Sequence, residues 1–233
     1  MKGKLYLIPS FLGNDDKDLV PVHNQKIIHT LKHFIAEREK TARAFLKSVG
    51  HPSPQSDFHF ELMDKRMRES DIPEFLEPCE RGVSVGLLSE AGLPCVADPG
   101  AKVVTAARNK GIEVVPLSGL SSIMMALMAS GMNGQQFRFH GYLPIDQKQK
   151  TNKIKEISNQ ALRGETQLFI ETPYRNEKLL QDLIKMLSPQ VRLGLAMDIS
   201  LDSEEIHSKS IAQWKSEELP KTHKRPAVFM VGL

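Results

Sequence analysis

Glu37, Glu39, Lys40 and Arg43 crowd into the segment IAEREKTAR, just past a short apolar run. A carboxylate in that setting can accept a proton, and Lys40 or Arg43 can hold a phosphate. A solvated helix start, with acids early and bases late, accounts for the same residues without catalysis. Three other stretches offer backbone rather than side chains: Ser10–Asn14, Ser89–Gly100 and Ser118–Ser122. All are rich in glycine and serine, whose small side chains let backbone N–H and C=O groups approach a ligand. Ser118–Ser122 also opens a helix, where free N–H groups favour a carboxylate or phosphate.

None of the three stretches reads GxxxxGK[ST] or places GxGxxG after a first strand, which argues against a P-loop or a dinucleotide site. A small ligand with an anionic end and an apolar, stackable body fits better. Taken singly, each stretch is as well explained as a turn or a helix cap. Their joint occurrence is the stronger signal. GLLSEAGLPCVADPG (86–100) spends about a dozen residues where about four would connect two elements, so the loop itself has a task.

These loops must be held by something, and the rest of the chain supplies it. The 233 residues are 40% hydrophobic and 25% charged, with a net charge of +3, ordinary values for a globular protein. A mildly basic balance permits an anionic partner without requiring one. Cys79 and Cys95 stand alone, without CxxC or zinc spacing, so neither a disulfide framework nor a metal site is expected. No stretch resembles a signal peptide or a membrane span, and the expected location is the cytoplasm.

Apolar runs and helical patterns alternate throughout. Strands are expected at 5–8, 33–36, 83–88, 112–115, 137–141, 166–170, 191–197 and 227–231, with a weaker one at 205–209. Helices are expected on either side of 33–36 and at 71–81, 101–110, 120–130, 147–162 and 173–187. Asp98 and Pro99 supply start signals for the helix over 101–110, and residues 51–58 read as a loop. The pattern predicts an α/β protein of two α/β domains, 1–114 and 115–233, with mostly parallel sheets and a ligand cleft between them. In such sheets ligands gather beyond the carboxyl ends of the strands, where the three small-residue stretches fall.

The order of LYLIPSFLGN, IAERE with KTARAFL, LLSEAGLPCVADPG, VVPLSGLSS, FRFHGYLP, LFIETPYR and RPAVFMVG resembles the tetrapyrrole methylase superfamily. More narrowly, it is similar to the branch that methylates the ribose 2′-hydroxyl of small-subunit ribosomal RNA. The resemblance implies S-adenosyl-L-methionine as cofactor, the tetrapyrrole methylase fold and a homodimer. It further implies that Ser89, Glu90, Ala91 and Gly92 line the cofactor with Pro94 close by, as do Leu12 with Gly13, Ser121 with Ser122, and Thr172. Several motifs depart from the family pattern. Ser10-Phe11 stands where Thr-Pro is usual, Glu37-Arg38-Glu39-Lys40 replaces Glu-Asp-Thr-Arg, and Glu90 replaces an Asp. MDISLDSEE occupies the place of a Glu-Leu-Thr-Lys segment.

Methyl transfer to a hydroxyl needs an aligned oxygen, a dry site and an acceptor for the proton. Glu37 is the candidate acceptor, with Lys40 and Arg43 as candidate phosphate holders. Glu171 and Arg175 suit an ion pair that fixes a strand-to-helix turn. Tyr174 can stack on a base or pack. Lys148, Lys150, Lys153 and Lys155 on one helix, and residues 221–225 near the end, are candidate phosphate contacts or solvated faces. Met124, Met125 and Met128 read as core, or as part of a dimer face. Two other functions fit the same residues: methylation of a tetrapyrrole-like or other small molecule, and a catalytically reduced cofactor- and RNA-binding factor of the ribosome.

Overall fold

The computed structural model describes residues 1–13, 17–63 and 67–233. They form two compact units, Met1–Ser121 and Ser122–Leu233. Asn14, the last residue of the first small-residue stretch, lies outside the described residues.

The first unit runs β1 (Leu5–Ile8), α1 (Val22–Ile28), β2 (His33–Ala36), α2 (Glu39–Ser48), β3 (His59–Leu62), α3 (Ile72–Phe75), α4 (Glu77–Glu80), β4 (Val85–Leu88), α5 (Ala101–Asn109) and β5 (Val114–Pro116). Its sheet has the order β3-β2-β4-β1-β5, with every neighbouring pair parallel. The strands are short and apolar because both faces are covered. In β2 the pleat sends Phe34 and Ala36 to one core, shared with Ile8, Phe45 and Leu46. Ile35 goes to the other, shared with Leu5, Leu87 and Leu76. A parallel sheet places all its carboxyl ends at one edge, so the loops after β1, β2, β4 and β5 share that edge.

The second unit runs α6 (Ser122–Ser130), β6 (Phe137–Tyr142), α7 (Gln147–Ala161), β7 (Thr166–Ile170), α8 (Asn176–Met186), β8 (Arg192–Met197), β9 (Glu205–Ser210), α9 (Ile211–Ser216) and β10 (Ala227–Gly232). Its sheet order is β6-β7-β10-β8-β9. Only β6 and β7 pair in parallel; the other three pairings are antiparallel. The second sheet is therefore mixed rather than mostly parallel, because β10 threads between β7 and β8 against both. Trp214 of α9 is buried in its core and donates its indole N–H to the Leu193 carbonyl at 2.8 Å.

Three details differ from the sequence reading. β5 pairs with β1, so the two units part at Ser121 rather than at 114. The single helix expected over 71–81 is two short ones, α3 and α4, each with a proline in its first turn, where the missing N–H costs nothing. β3 and α9 were not expected. β3 is an edge strand with mostly exposed side chains, and α9 is a six-residue helix started by a Ser210–Gln213 capping box.

Candidate active site

The carboxyl edge of the first sheet carries the candidate site. Strand β1 runs into Pro9–Gly13, and β4 into the loop 89–100. The two loops are stitched together by the Ser10 N–H donating to the Gly92 carbonyl at 3.0 Å and the Ser89 N–H to the Ile8 carbonyl at 3.3 Å. Ser10, Leu12, Gly13, Thr41, Ala44, Phe45, Ser89, Glu90 and Ala91 are among the residues that line a cleft of about 180 Å³. Its lining mixes small and apolar side chains with the polar Ser10, Thr41, Ser89 and Glu90.

Loop 89–100 is held away from ordinary backbone geometry. Cys95 and Ala97 sit at φ +67° and +57°, Gly92 at +74° and Gly100 at +124°. For the two non-glycine residues this conformation costs about 1–3 kcal/mol each. Strain of that kind persists where the surroundings impose a shape. A Cβ on Gly92 would stand 3.0 Å from Leu12 Cδ2 and 3.3 Å from the Leu120 carbonyl oxygen, so only glycine keeps these three loops together. Gly119 leaves still less room, since its Cβ would fall 2.2 Å from Pro9 Cβ.

Glu37 follows β2 at the same edge. Burial, a hydrogen bond to Asp98 and the negative charges of Asp98 and Glu90 push its carboxyl up to about 7, against a smaller downward pull from Arg38. Burial also raises Asp98, while Ser89 and Glu37 hydrogen-bond to it and oppose that rise. Glu37 thus holds a proton into the neutral range, and Asp98 accepts the hydrogen bond. Glu90 is restrained separately, by Thr41 Oγ1 at 2.7 Å and the Arg38 guanidinium at 3.1 Å. Asp98 was expected to start α5. The N-cap is instead Gly100, with no side-chain cap, which leaves the Asp98 carboxylate for the site.

The other candidates divide clearly. Lys40 lies exposed in the first turn of α2. Arg43 turns from the cleft: it pairs with Glu39 at 2.7 Å, donates to the Gln55 carbonyl and lies 4.7 Å over the Phe60 ring. Leu12, Gly13, Ser89, Glu90 and Ala91 come together in the cleft, with Gly92 and the buried Pro94 in the loop behind. Ser121 ends the first unit, and Ser122 begins α6. Thr172 belongs to the second unit, in the turn after β7, where its N–H donates to Glu171 Oε1 at 2.7 Å. Among the described residues no cluster of His, Cys, Asp or Glu could hold a metal ion, and no helix is long and apolar enough to cross a membrane.

Two features bear on whether this cleft suits S-adenosylmethionine. Ser10 is 8% exposed and lines the cleft, yet its hydroxyl has no hydrogen-bond partner; a bound polar group would satisfy it. The neighbouring acids favour a ligand that carries positive charge. A small-residue cradle with an orphaned hydroxyl and an acidic wall fits a cationic nucleoside.

Residues 4–214 match the family described as Tetrapyrrole (Corrin/Porphyrin) Methylases. The chain belongs to this family. Among its relatives, the Ribosomal RNA small subunit methyltransferase I of Vibrio cholerae is 36% identical over 140 residues, which are 59% of this chain and 48% of that one. The chain thus spans about half of that relative's length. The protein of the same name from Pasteurella multocida is 31% identical over 235 residues, covering 100% of this chain and 80% of its own. The solved structure of the methyltransferase CobJ superposes with a TM-score of 0.66 at 18% identity, covering 99% of this chain and 94% of that one. It shares the fold. For a tetrapyrrole methylase, methyl transfer is the reaction class.

Proposed function

We propose that this chain transfers a methyl group from S-adenosylmethionine to a ribose 2′-hydroxyl of small-subunit ribosomal RNA. Two similarities support the acceptor: the order of the motifs, and relatives named as ribosomal RNA methyltransferases. The observation that carries the chemistry is Glu37, a carboxyl raised to about 7 beside a cleft built from glycine and serine loops. A general base works best when its pKa lies near the operating pH.

Leu12, Gly13, Ser89, Glu90, Ala91, Gly92, Pro94, Ser121, Ser122 and Thr172 would hold the cofactor. When bound, it supplies an electrophilic methyl group on a positively charged sulfur. Glu37 takes the proton from the attacking hydroxyl, and Asp98 positions Glu37 and sets its basicity. Lys40, exposed in the first turn of α2, is the remaining candidate for an RNA phosphate. Arg43 braces α2 against the edge strand. The same reading places the protein in the cytoplasm, with its ribosomal substrate. A homodimer is supported by α6, where Met128 is 81% exposed; light scattering that gives only 26.1 kDa at micromolar concentration would contradict it.

The test is a map of ribose methylation on small-subunit rRNA from cells with and without the gene. A 2′-O-methyl mark is expected to vanish with the gene and return with the wild-type chain, but not with Glu37→Gln. Identical maps would contradict the proposal.

A further inference from the structure

Two turns of the second unit meet at one end of its sheet. β7 and β10 are antiparallel with Ile170 opposite Val228, so the turn leaving β7 lies beside the turn entering β10. The Lys224 N–H donates to the Pro173 carbonyl at 3.1 Å, and Asn176 Nδ2 donates to the Arg225 carbonyl at 2.7 Å. Both arginines of this corner are consumed in building it. Arg225 binds Asp198 and Glu205, each at 2.6 Å, and Arg175 binds Glu171 at 2.5 Å.

What remains outside is a different set. Tyr174 is 70% exposed, and among the described residues its one ring contact is the His223 imidazole, edge-on at 5.9 Å and 74°. Lys221 and Lys224 are exposed, and neither pairs with a carboxylate among the described residues. A bare aromatic face flanked by unpaired cations contributes little to packing. It is a good surface for an unpaired base and its phosphates, because every base offers a π-face and every nucleotide a negative charge. The longer basic run on α7 is less available. Lys150, half-buried, pairs with Asp182 at 2.8 Å, and Lys153 is held by Glu156 at 2.9 Å.

We propose that Tyr174, His223, Lys221 and Lys224 form a docking platform for single-stranded RNA, one base stacked on Tyr174 and neighbouring phosphates on the two lysines. The proposal rests on the ribosomal RNA reading above and specifies where that RNA is gripped. It also gives the turn after β7 two jobs, since Thr172, assigned to the cofactor, lies two residues before Tyr174. A stacked base there orders the strand next to a cofactor contact.

The test uses fluorescence anisotropy of the full chain with a short, unstructured, fluorescein-labelled RNA across a salt series, with heparin as a base-free polyanion. Tyr174→Ala is expected to weaken RNA binding about 5- to 100-fold, with the salt slope and heparin binding unchanged, and Tyr174→Phe to restore it. Lys221→Ala with Lys224→Ala should flatten the salt slope by about 1.4, from ~0.7 per phosphate contact on a single strand. Lys153→Ala, at a lysine already held by Glu156, should match wild type. Melting curves and S-adenosylmethionine calorimetry of each variant establish that it is folded. If wild type binds RNA but Tyr174→Ala binds equally well, or weakens for RNA and heparin alike, the platform is wrong while the RNA reading stands. If wild type binds S-adenosylmethionine but no RNA, both are overturned.

Discussion

Glu37 and Glu171 both stand immediately past the carboxyl end of a buried strand, and both have an arginine close behind in sequence. In the second unit Arg175 follows at i+4, on the first turn leading into α8, and its guanidinium reaches back to Glu171 Oε1. The Thr172 N–H adds a further bond to that oxygen. In the first unit Arg38 follows at i+1, points elsewhere and pairs with Glu90. Glu37 is left facing Asp98 and Glu90, and its carboxyl is pushed up to about 7. One spacing makes a brace, the other a proton acceptor.

The largest expected effect is on that proton acceptor. Glu37→Gln should cut methyl transfer by about 10²–10⁴-fold, with S-adenosylmethionine affinity measured by calorimetry retained. Next comes the cradle. Gly92→Val forces a branched side chain into a positive-φ position already crowded by Leu12 and the Leu120 carbonyl, and calorimetry should show cofactor binding lost in protein that remains folded by circular dichroism. Unchanged affinity would remove loop 89–92 from the cofactor site.

Glu171→Gln sharpens the comparison from the other side. It weakens a charge-assisted bond at a buried carboxylate, so denaturant melts should show about 1–3 kcal/mol lost, while the pH dependence of the rate stays in place. A further effect concerns stability and pH. Glu37 is raised from an ordinary 4.5 to about 7 in the fold, so the fold favours its protonated form. That contribution is complete below 4.5 and is lost as pH rises through about 7. Glu37→Gln cannot ionise, so its melting temperature should match wild type in acid and exceed it in alkali. A variant less stable than wild type above neutrality would mean that Glu37 is anchored by a positive partner instead.

Much of this was legible in the residues. The strands buried on both faces announced themselves as apolar runs, and the parallel first sheet followed from their alternation with helices. The glycine and serine loops marked the edge where the cleft lies. Glu37 was a candidate from its surroundings in sequence, as was the Glu171–Arg175 brace. Asp98 was hidden because Asp-Pro-Gly before a helix reads as a start signal, and only the fold shows Gly100 taking the cap. Arg43 read as a candidate phosphate holder because its contacts with Gln55 and Phe60, from the edge strand's side, are not visible in the local sequence. The antiparallel pairings of the second sheet were hidden for a similar reason: the direction in which β10 inserts depends on contacts far apart in the chain. Lys150 carries the same lesson, since its buried partner Asp182 lies 32 residues away.

The central claim is that Glu37 accepts the proton and that Asp98 tunes it. The most direct measurement is the pH dependence of single-turnover methyl transfer to small ribosomal subunits by wild type and Asp98→Asn. Wild type should show a rate that rises with pH along a limb centred near 7. Removing the Asp98 charge relieves the repulsion that raises Glu37, so the limb in Asp98→Asn should move toward acid while Glu37→Gln shows no limb there. A limb that stays in place in Asp98→Asn, or persists in Glu37→Gln, would contradict the account.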